Sequence, residues 1–426
     1  MYQAPILALG IGVVKLLQIG LKLLEKTQPV PLFLHYYTWL YLMLFGLYCN
    51  CLQTTYTEIL SISDWLDPDK VEHHATSVME SDNEANKVDP TVYKFWKEEA
   101  DLRHYPVLRR FSLLSPLWVL GTFVVCSYHT IKHVIKIHQR SGSSGKCSSL
   151  RDCPLHDHTI SILALPLVYG LMSFKSVMRC WQICINDAGF SQEHRFNGFL
   201  DRKNFLEEMY EANFLVGDIY EAIALITFGK VISAVIKKNI ARSDECTATK
   251  TLLGAIRKLT VAGVTIFATS CFLSAGYVLV VTFIGLEFPS VFPGIFGRHL
   301  SNPGLLYEPM FKEKLTQFLS GFGFAASWAA IGNILTVEKD FHDYLQGFNP
   351  KVKFWGTKVL VTLAFVQSTL LAITPPFSSW GKNYCNLFYS SVLCFQCCIL
   401  SLLHMHAWNA DEAWYHEEGE VSVQLV

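Results

Sequence analysis

Charge is scarce in this chain: across 426 residues only 17% are Asp, Glu, Lys or Arg, and 35 basic side chains nearly cancel 36 acidic ones. A formal net charge of -1 gives no general attraction to nucleic acid, and no basic stripe or zinc-finger cysteine spacing appears, so no nucleic-acid partner is expected. No Asn-x-Ser/Thr sequon occurs, and no nucleophile elbow, phosphate loop or paired general acid and base is visible. The sequence therefore points away from enzyme chemistry and calls for no cofactor. Thirteen cysteines are present, most of them inside or beside apolar runs, where a thiol behaves as a small apolar side chain.

What fills the chain instead is hydrophobic sequence, 51% of all residues, and it is clustered. Mostly apolar runs long enough for membrane helices recur at Leu32–Leu52, Phe111–Ile135, Ile160–Ile183, Tyr210–Ile236, Leu259–Leu286, Leu315–Leu335, Phe354–Thr374 and Leu387–Leu403. The fold class expected is an all-α polytopic membrane helix bundle, with a seven-helix core and one extra N-terminal transmembrane helix. Five segments follow: 1–30, an N-terminal amphipathic helix; 31–60, the extra span; 61–110, an acidic extracytosolic loop; 111–408, the seven-helix core; and 409–426, an acidic cytosolic tail. In the first segment Lys15, Gln18, Lys22, Glu25 and Lys26 share one helical face, which suits a helix lying in the headgroup layer. Lys and Arg concentrate in alternate short loops, which places both termini in the cytosol of a multi-pass protein of the plasma membrane or an endomembrane.

The third core segment, EEMYEANFLVGDIYEAIALITFGKVISAVI, carries carboxylates where a lipid-facing helix does not tolerate them. At 3.6 residues per turn Glu207, Glu211 and Asp218 project within roughly 40° of one another, with Glu221 flanking them. Each unpaired charge near mid-membrane costs about 2.5 to 3.5 kcal/mol, so this seam must face other helices or a hydrated cavity. On the second core helix Lys175 and Arg179 stand one turn apart and need counter-charges, for which Glu211 and Asp218 are the nearest candidates in chain order. Two uses of such a pairing remain open: a structural ion-pair network, or a solute pathway in which polar ends exchange between Lys175, Arg179, Lys358 and neighbouring amides. Lys358 near a helix start also suits snorkelling to the interface.

Two further patterns were weighed. Gly321, Gly323 and Ala326 mimic a dinucleotide fingerprint, but no strand precedes them, and Gly321, Ala325 and Ala329 read as a helix-packing stripe. His129 and His133 are spaced i, i+4, and with His404 they define a remote alternative, a zinc-dependent intramembrane hydrolase. His404 and His406 point about 200° apart on a helix, so only one of them can join, with a carboxylate such as Asp411 nearby.

Four stretches, in order, resemble one known family. LPLVYGLMSF (Pro166, Tyr169, Ser173, Phe174) is similar to the second core helix of the organic solute transporter alpha and transmembrane protein 184 family. MYEANF (Tyr210, Glu211, Ala212) resembles the opening of its third, and FNPKVKFWGTKVLVTLAFVQ (Pro350, Lys353, Phe354, Lys358, Gln367) resembles its sixth. LLHMHAWNADEAWY (His404, Ala407, Trp408, Tyr415) is similar to the exit from its seventh. The resemblance implies a seven-helix membrane bundle that passes organic, lipid-like or steroid-type solutes by facilitated diffusion, with a small single-span membrane subunit as partner. Taken with the buried charges above, the candidate substrate pathway comprises Tyr169, Lys175, Arg179, Glu211, Asp218, Glu221, Lys358 and Gln367. A non-transporting seven-helix receptor or trafficking scaffold is the alternative, and assembly as a homo-oligomer is open.

Overall fold

The computed structural model describes residues 36–56, 106–143, 154–189, 196–242, 254, 269, 273, 332, 336–337, 339–345, 347–374, 377 and 380–416. Among these the fold is all-helical: α1 Tyr36–Thr54, α2 Pro106–Leu113, α3 Ser115–Ser143, α4 Pro154–Leu163, α5 Leu165–Gly189 and α6 Phe196–Arg242 come first. A 3-10 turn His342–Leu345 follows, then α7 Pro350–Ile373, α8 Lys382–Ala407 and the short α9 Ala413–His416. Among the described residues four stretches are long and apolar enough to cross a membrane: Pro106–Ile137, Leu155–Ile183, Met209–Ile236 and Lys382–Ala407. This is the composition of an integral, multi-pass membrane protein. The expected runs at Leu32–Leu52 and Phe354–Thr374 are the helices α1 and α7, of 19 and 24 residues. Those at Leu259–Leu286 and Leu315–Leu335, with the small-residue stripe of Gly321, Ala325 and Ala329, fall almost wholly outside the described residues, as do the 1–30 helix and most of the 61–110 loop.

Proline sets two of the helix boundaries. Pro116 and Pro166 each lack an N–H and crowd the carbonyl one turn back, so the chain turns at Leu114 and Ala164 before helix resumes. At the second break, neighbouring helices supply hydroxyls to the backbone. Tyr36 of α1 donates to the Asp157 carbonyl at 3.2 Å, and Tyr220 of α6 donates to the Ser161 carbonyl at 3.0 Å.

The helix this break produces, α5, is the hub. It packs against α8, α6, α3 and α1, and the most apolar 18-residue window of the α4–α5 span is entirely buried. By contrast only 28% of the corresponding window in Pro106–Ile137 is buried. Leu117, Leu120, Val124, Tyr128, Ile131 and Ile135 of α3 are exposed at helical spacing, the pattern of a face meeting lipid. The N-terminal α1 is joined to this arrangement rather than set apart from it. Leu40, Leu44, Tyr48 and Cys51 are buried, and the Tyr41 and Tyr48 hydroxyls reach Thr130 at 2.8 Å and the Pro116 carbonyl at 3.1 Å.

Between helices that share a lipid solvent, association depends on close packing and hydrogen bonds more than on burial from water. Gly217 shows how close α5 and α6 come: a Cβ there would lie 3.0 Å from the Tyr169 ring. Gly229, three turns along the same helix, has nothing within 4 Å of such an atom. Gly217→Leu is therefore expected to destabilise the purified protein in lipid nanodiscs by about 1–3 kcal/mol, while Gly229→Leu leaves its thermal midpoint unchanged or higher. Equal midpoints for the two variants would refute the close α5–α6 contact.

Candidate functional site

Two groups of polar side chains lie within the bundle. The first runs along the α5–α6 contact. Tyr169 donates to the Asp218 carboxylate across it, and Glu221, one turn further along α6, is fully buried. Towards the other end of α5, Asn213 donates to Ser176 at 3.3 Å, Ser176 to the Tyr210 carbonyl at 3.4 Å, and Tyr210 to the Asn386 carbonyl of α8 at 3.4 Å. Glu207 is held by Lys382 of α8 at 2.9 Å, and Glu211 is exposed. The acidic seam thus meets a tyrosine hydroxyl and a lysine of α8, and the expected pairing with Lys175 and Arg179 is not what holds it. Arg179 donates to Gln182 at 2.6 Å on its own helix.

Lys175 is the outlier. It is 2% exposed, and its amine has no hydrogen-bond partner among the described residues. The groups acting on it electrostatically are Cys51 of α1 and Arg179. Among the described residues the Lys175 amine makes no hydrogen bond to the α6 carboxylates, and the group of another helix that acts on it is Cys51 of α1. Sequence order placed the seam nearest, and only the tertiary contact reveals the exchange. On another face of α5 a partly open apolar cavity of about 320 Å³ lies between α1, the α2–α3 break and α5, lined among others by Leu52, Tyr56, Pro116, Phe174, Met178 and Trp181. Lys358 has a side chain outside the described residues, and Gln367 on α7 is half-buried with no partner for its amide oxygen.

The second group caps one end of the bundle. His129 and His133 both reach the Trp408 carbonyl through Nε2, at 2.9 and 3.0 Å, and His133 Nδ1 lies 3.0 Å from His156 Nδ1 of α4. The His156 ring stacks on Tyr415 with centroids 4.1 Å apart, and the Tyr415 hydroxyl meets Thr159 at 2.8 Å. His404 is buried, its Nε2 on the Gly356 carbonyl at 2.7 Å, while His406 is exposed as the helical projection requires. The three imidazoles of the zinc alternative are thus each engaged by a backbone carbonyl. Among the described residues no three His, Cys, Asp or Glu side chains are grouped as a metal ion needs.

The turn after α8 is tied down further. Lys353, 1% exposed, donates to the Phe348 carbonyl at 2.7 Å and pairs with Glu412 at 2.8 Å, among the rings of Phe348, Trp408 and Trp414. Burial pulls this amine below its ordinary range and Glu412 pulls it back. Lys136 pairs with Asp411 at 2.6 Å. Residues 409–416, which the sequence assigns to a solvated tail, are in large part packed: Ala410, Trp414 and Tyr415 are buried. His156, Thr159 and Glu412 went unnoticed in the sequence because nothing in local spacing connects α4 to a turn more than 250 residues later.

No protein-family model, curated protein or solved structure matches this chain.

Tyr169→Phe removes the donor to a part-buried carboxylate and is expected to cost about 1–2 kcal/mol, with Asp218→Asn costing less; denaturation of the purified variants in detergent measures both. Lys353→Met is expected to cost about 2–3 kcal/mol. That is below the range for a fully enclosed ion pair because Glu412 remains 21% exposed. Wild-type stability in Lys353→Met would show that the ion pair contributes nothing net.

Proposed function

We propose that the protein passes organic, lipid-like or steroid-type solutes across a membrane by facilitated diffusion, alone or with a small single-span subunit. The observation that carries this reading is Lys175. A cation buried in a membrane bundle without a hydrogen-bond partner is costly, and a fold that only had to be stable would gain by replacing it with an apolar residue. The same helix lines an apolar cavity of about 320 Å³ with Phe174, Met178 and Trp181, which suits a pathway in which a solute's apolar body rests on those side chains while its polar end exchanges with charged groups of α5. Tyr169, Asp218 and Glu221 continue the polar line along the next helix contact.

The four stretches that resemble the organic solute transporter alpha and transmembrane protein 184 family support the same class. The resemblance supplies the single-span partner, and the Lys and Arg asymmetry of the loops supplies the cytosolic placement of both termini, as parts of this proposal. The residues carrying it also include several of the contacts between helices: Tyr169 to Asp218, Tyr210 to α8, Lys353 to Glu412 and His404 to Gly356.

Flux of labelled sterol conjugates into vesicles containing the purified protein, with and without a candidate single-span subunit, tests the reading. Lys175→Met is expected to lower flux or apparent affinity about 10- to 100-fold, the loss of one charge-assisted contact worth roughly 1.5–3 kcal/mol. The variant is also expected to be as stable as the wild type or more so. Absence of flux under both conditions would favour a receptor or trafficking scaffold. Flux that is unaltered in Lys175→Met would keep the class and remove the site.

A further inference from the structure

The contacts of His129, His133 and His156 fix where their protons sit when the rings are neutral. A carbonyl oxygen only accepts, so His129 and His133 each present an N–H at Nε2 to Trp408. In a neutral ring the second nitrogen is then a lone pair. His133 Nδ1 therefore accepts, and the N–H at this contact belongs to His156 Nδ1. The His156 ring lies flat on Tyr415, whose hydroxyl is engaged by Thr159. The contacts of His129 and His133 and the His133–His156 contact are thus made with all three rings neutral, while the buried His156 Nε2 makes no hydrogen bond among the described residues.

Additional protons fit poorly. One on His133 puts two N–H groups face to face across 3.0 Å. Charges on His129 and His133 would stand on rings 5.1 Å apart, and on His133 and His156 on rings 5.2 Å apart, all three side chains being buried. The other ionisable groups facing the cluster leave room for one cation at most. From α4 comes Asp157, a buried carboxylate next in sequence to His156, and from α1 the neutral Tyr36 phenol. From α8 comes His404, already held by Gly356, and from the turn itself come Asp411, Glu412 and Tyr415. Asp411 and Glu412 are committed to Lys136 and Lys353. Lys132 of α3 lies over the Tyr128 ring and adds only positive charge.

We propose that the segment Trp408–Tyr415 is a latch, closed over His129, His133 and His156 while they are neutral and released when they take up protons. The closed cluster accommodates at most one proton and the hydrated, open cluster accommodates three. Opening therefore takes up about two protons below the ordinary histidine range, and the latch equilibrium shifts about a hundredfold per pH unit there. The sign follows from the protons: the open form binds more, so acid favours it. The Lys136–Asp411 and Lys353–Glu412 pairs hold the same segment to α3 and α7. They set the resistance the imidazoles overcome. Release frees the ends of α3, α4, α7 and α8 from their common tie while leaving α5 enclosed.

Hydrogen exchange of the full chain in lipid nanodiscs, followed from about pH 7.5 to about pH 5 and corrected for intrinsic exchange, tests this. Protection of amides in 408–416 is expected to fall at least about a hundredfold, reversibly, while amides of α5 keep theirs. His156→Phe keeps the stack on Tyr415 and removes one titrating ring, so the acid response is expected to shrink about tenfold. The double variant His133→Gln with His156→Phe flattens it. A wild-type change below about tenfold, a loss of protection shared equally by α5, or a full acid response in the double variant would each overturn the latch.

Discussion

Whatever is polar inside a membrane bundle has to be answered by a neighbouring helix, and in this protein that requirement falls hardest on α5. Enclosed by α1, α3, α6 and α8, it carries Tyr169, Ser173, Lys175, Ser176 and Arg179 along its length. Each hydroxyl or charge on it either finds a partner across a contact or is left buried at a cost. The contacts with Asp218, Asn213 and Tyr210 are the answers from α6. Among the described residues the Ser173 hydroxyl and the Lys175 amine receive none, and the proposed solute site follows from the charge among them.

The requirement also explains the distribution of tyrosines. Tyr36, Tyr41 and Tyr48 of α1 and Tyr210 and Tyr220 of α6 are buried or half-buried rings whose hydroxyls end on backbone carbonyls or side-chain oxygens of other helices. A tyrosine brings a large apolar body and a single donor, so it packs as a hydrophobe while satisfying one acceptor at distance. Near Pro166, where the helix is interrupted, that donor has the most use. The same economy appears in the turn after α8, where Trp414 donates to Glu412 and stacks on Tyr415.

Much of the architecture was legible in the primary structure and part of the site was not. The described apolar runs of the right length became helices, interrupted at Leu114 and Ala164, since length and hydropathy act locally. The acidic face of α6 was also readable, because helical periodicity alone puts Glu207, Glu211 and Asp218 in line. Which cation meets which carboxylate was not readable. Lys382 reaches Glu207 from 175 residues away and Glu412 reaches Lys353 from 59, separations over which spacing says nothing. The i, i+4 histidines were noticed, but their partner is a main-chain carbonyl, and a backbone atom leaves no signature in a residue pattern. Segment 409–416 reads as tail from its charges, yet Asp411 and Glu412 are there to hold Lys136 and Lys353, which lets the aromatic rings between them bury.

The enclosure of α5 bears on how the chain is made. Its flank contacts come partly from α1 and α3, synthesised earlier, and most extensively from α6 and α8, synthesised later. Until the ribosome has delivered the last of these, α5 must sit in the bilayer with its lysine and arginine facing acyl chains, or wait in the insertion machinery. Biogenesis therefore has a defined vulnerable interval, and a chain that stalls before Lys382 presents a basic, half-clad helix that membrane quality control is equipped to recognise.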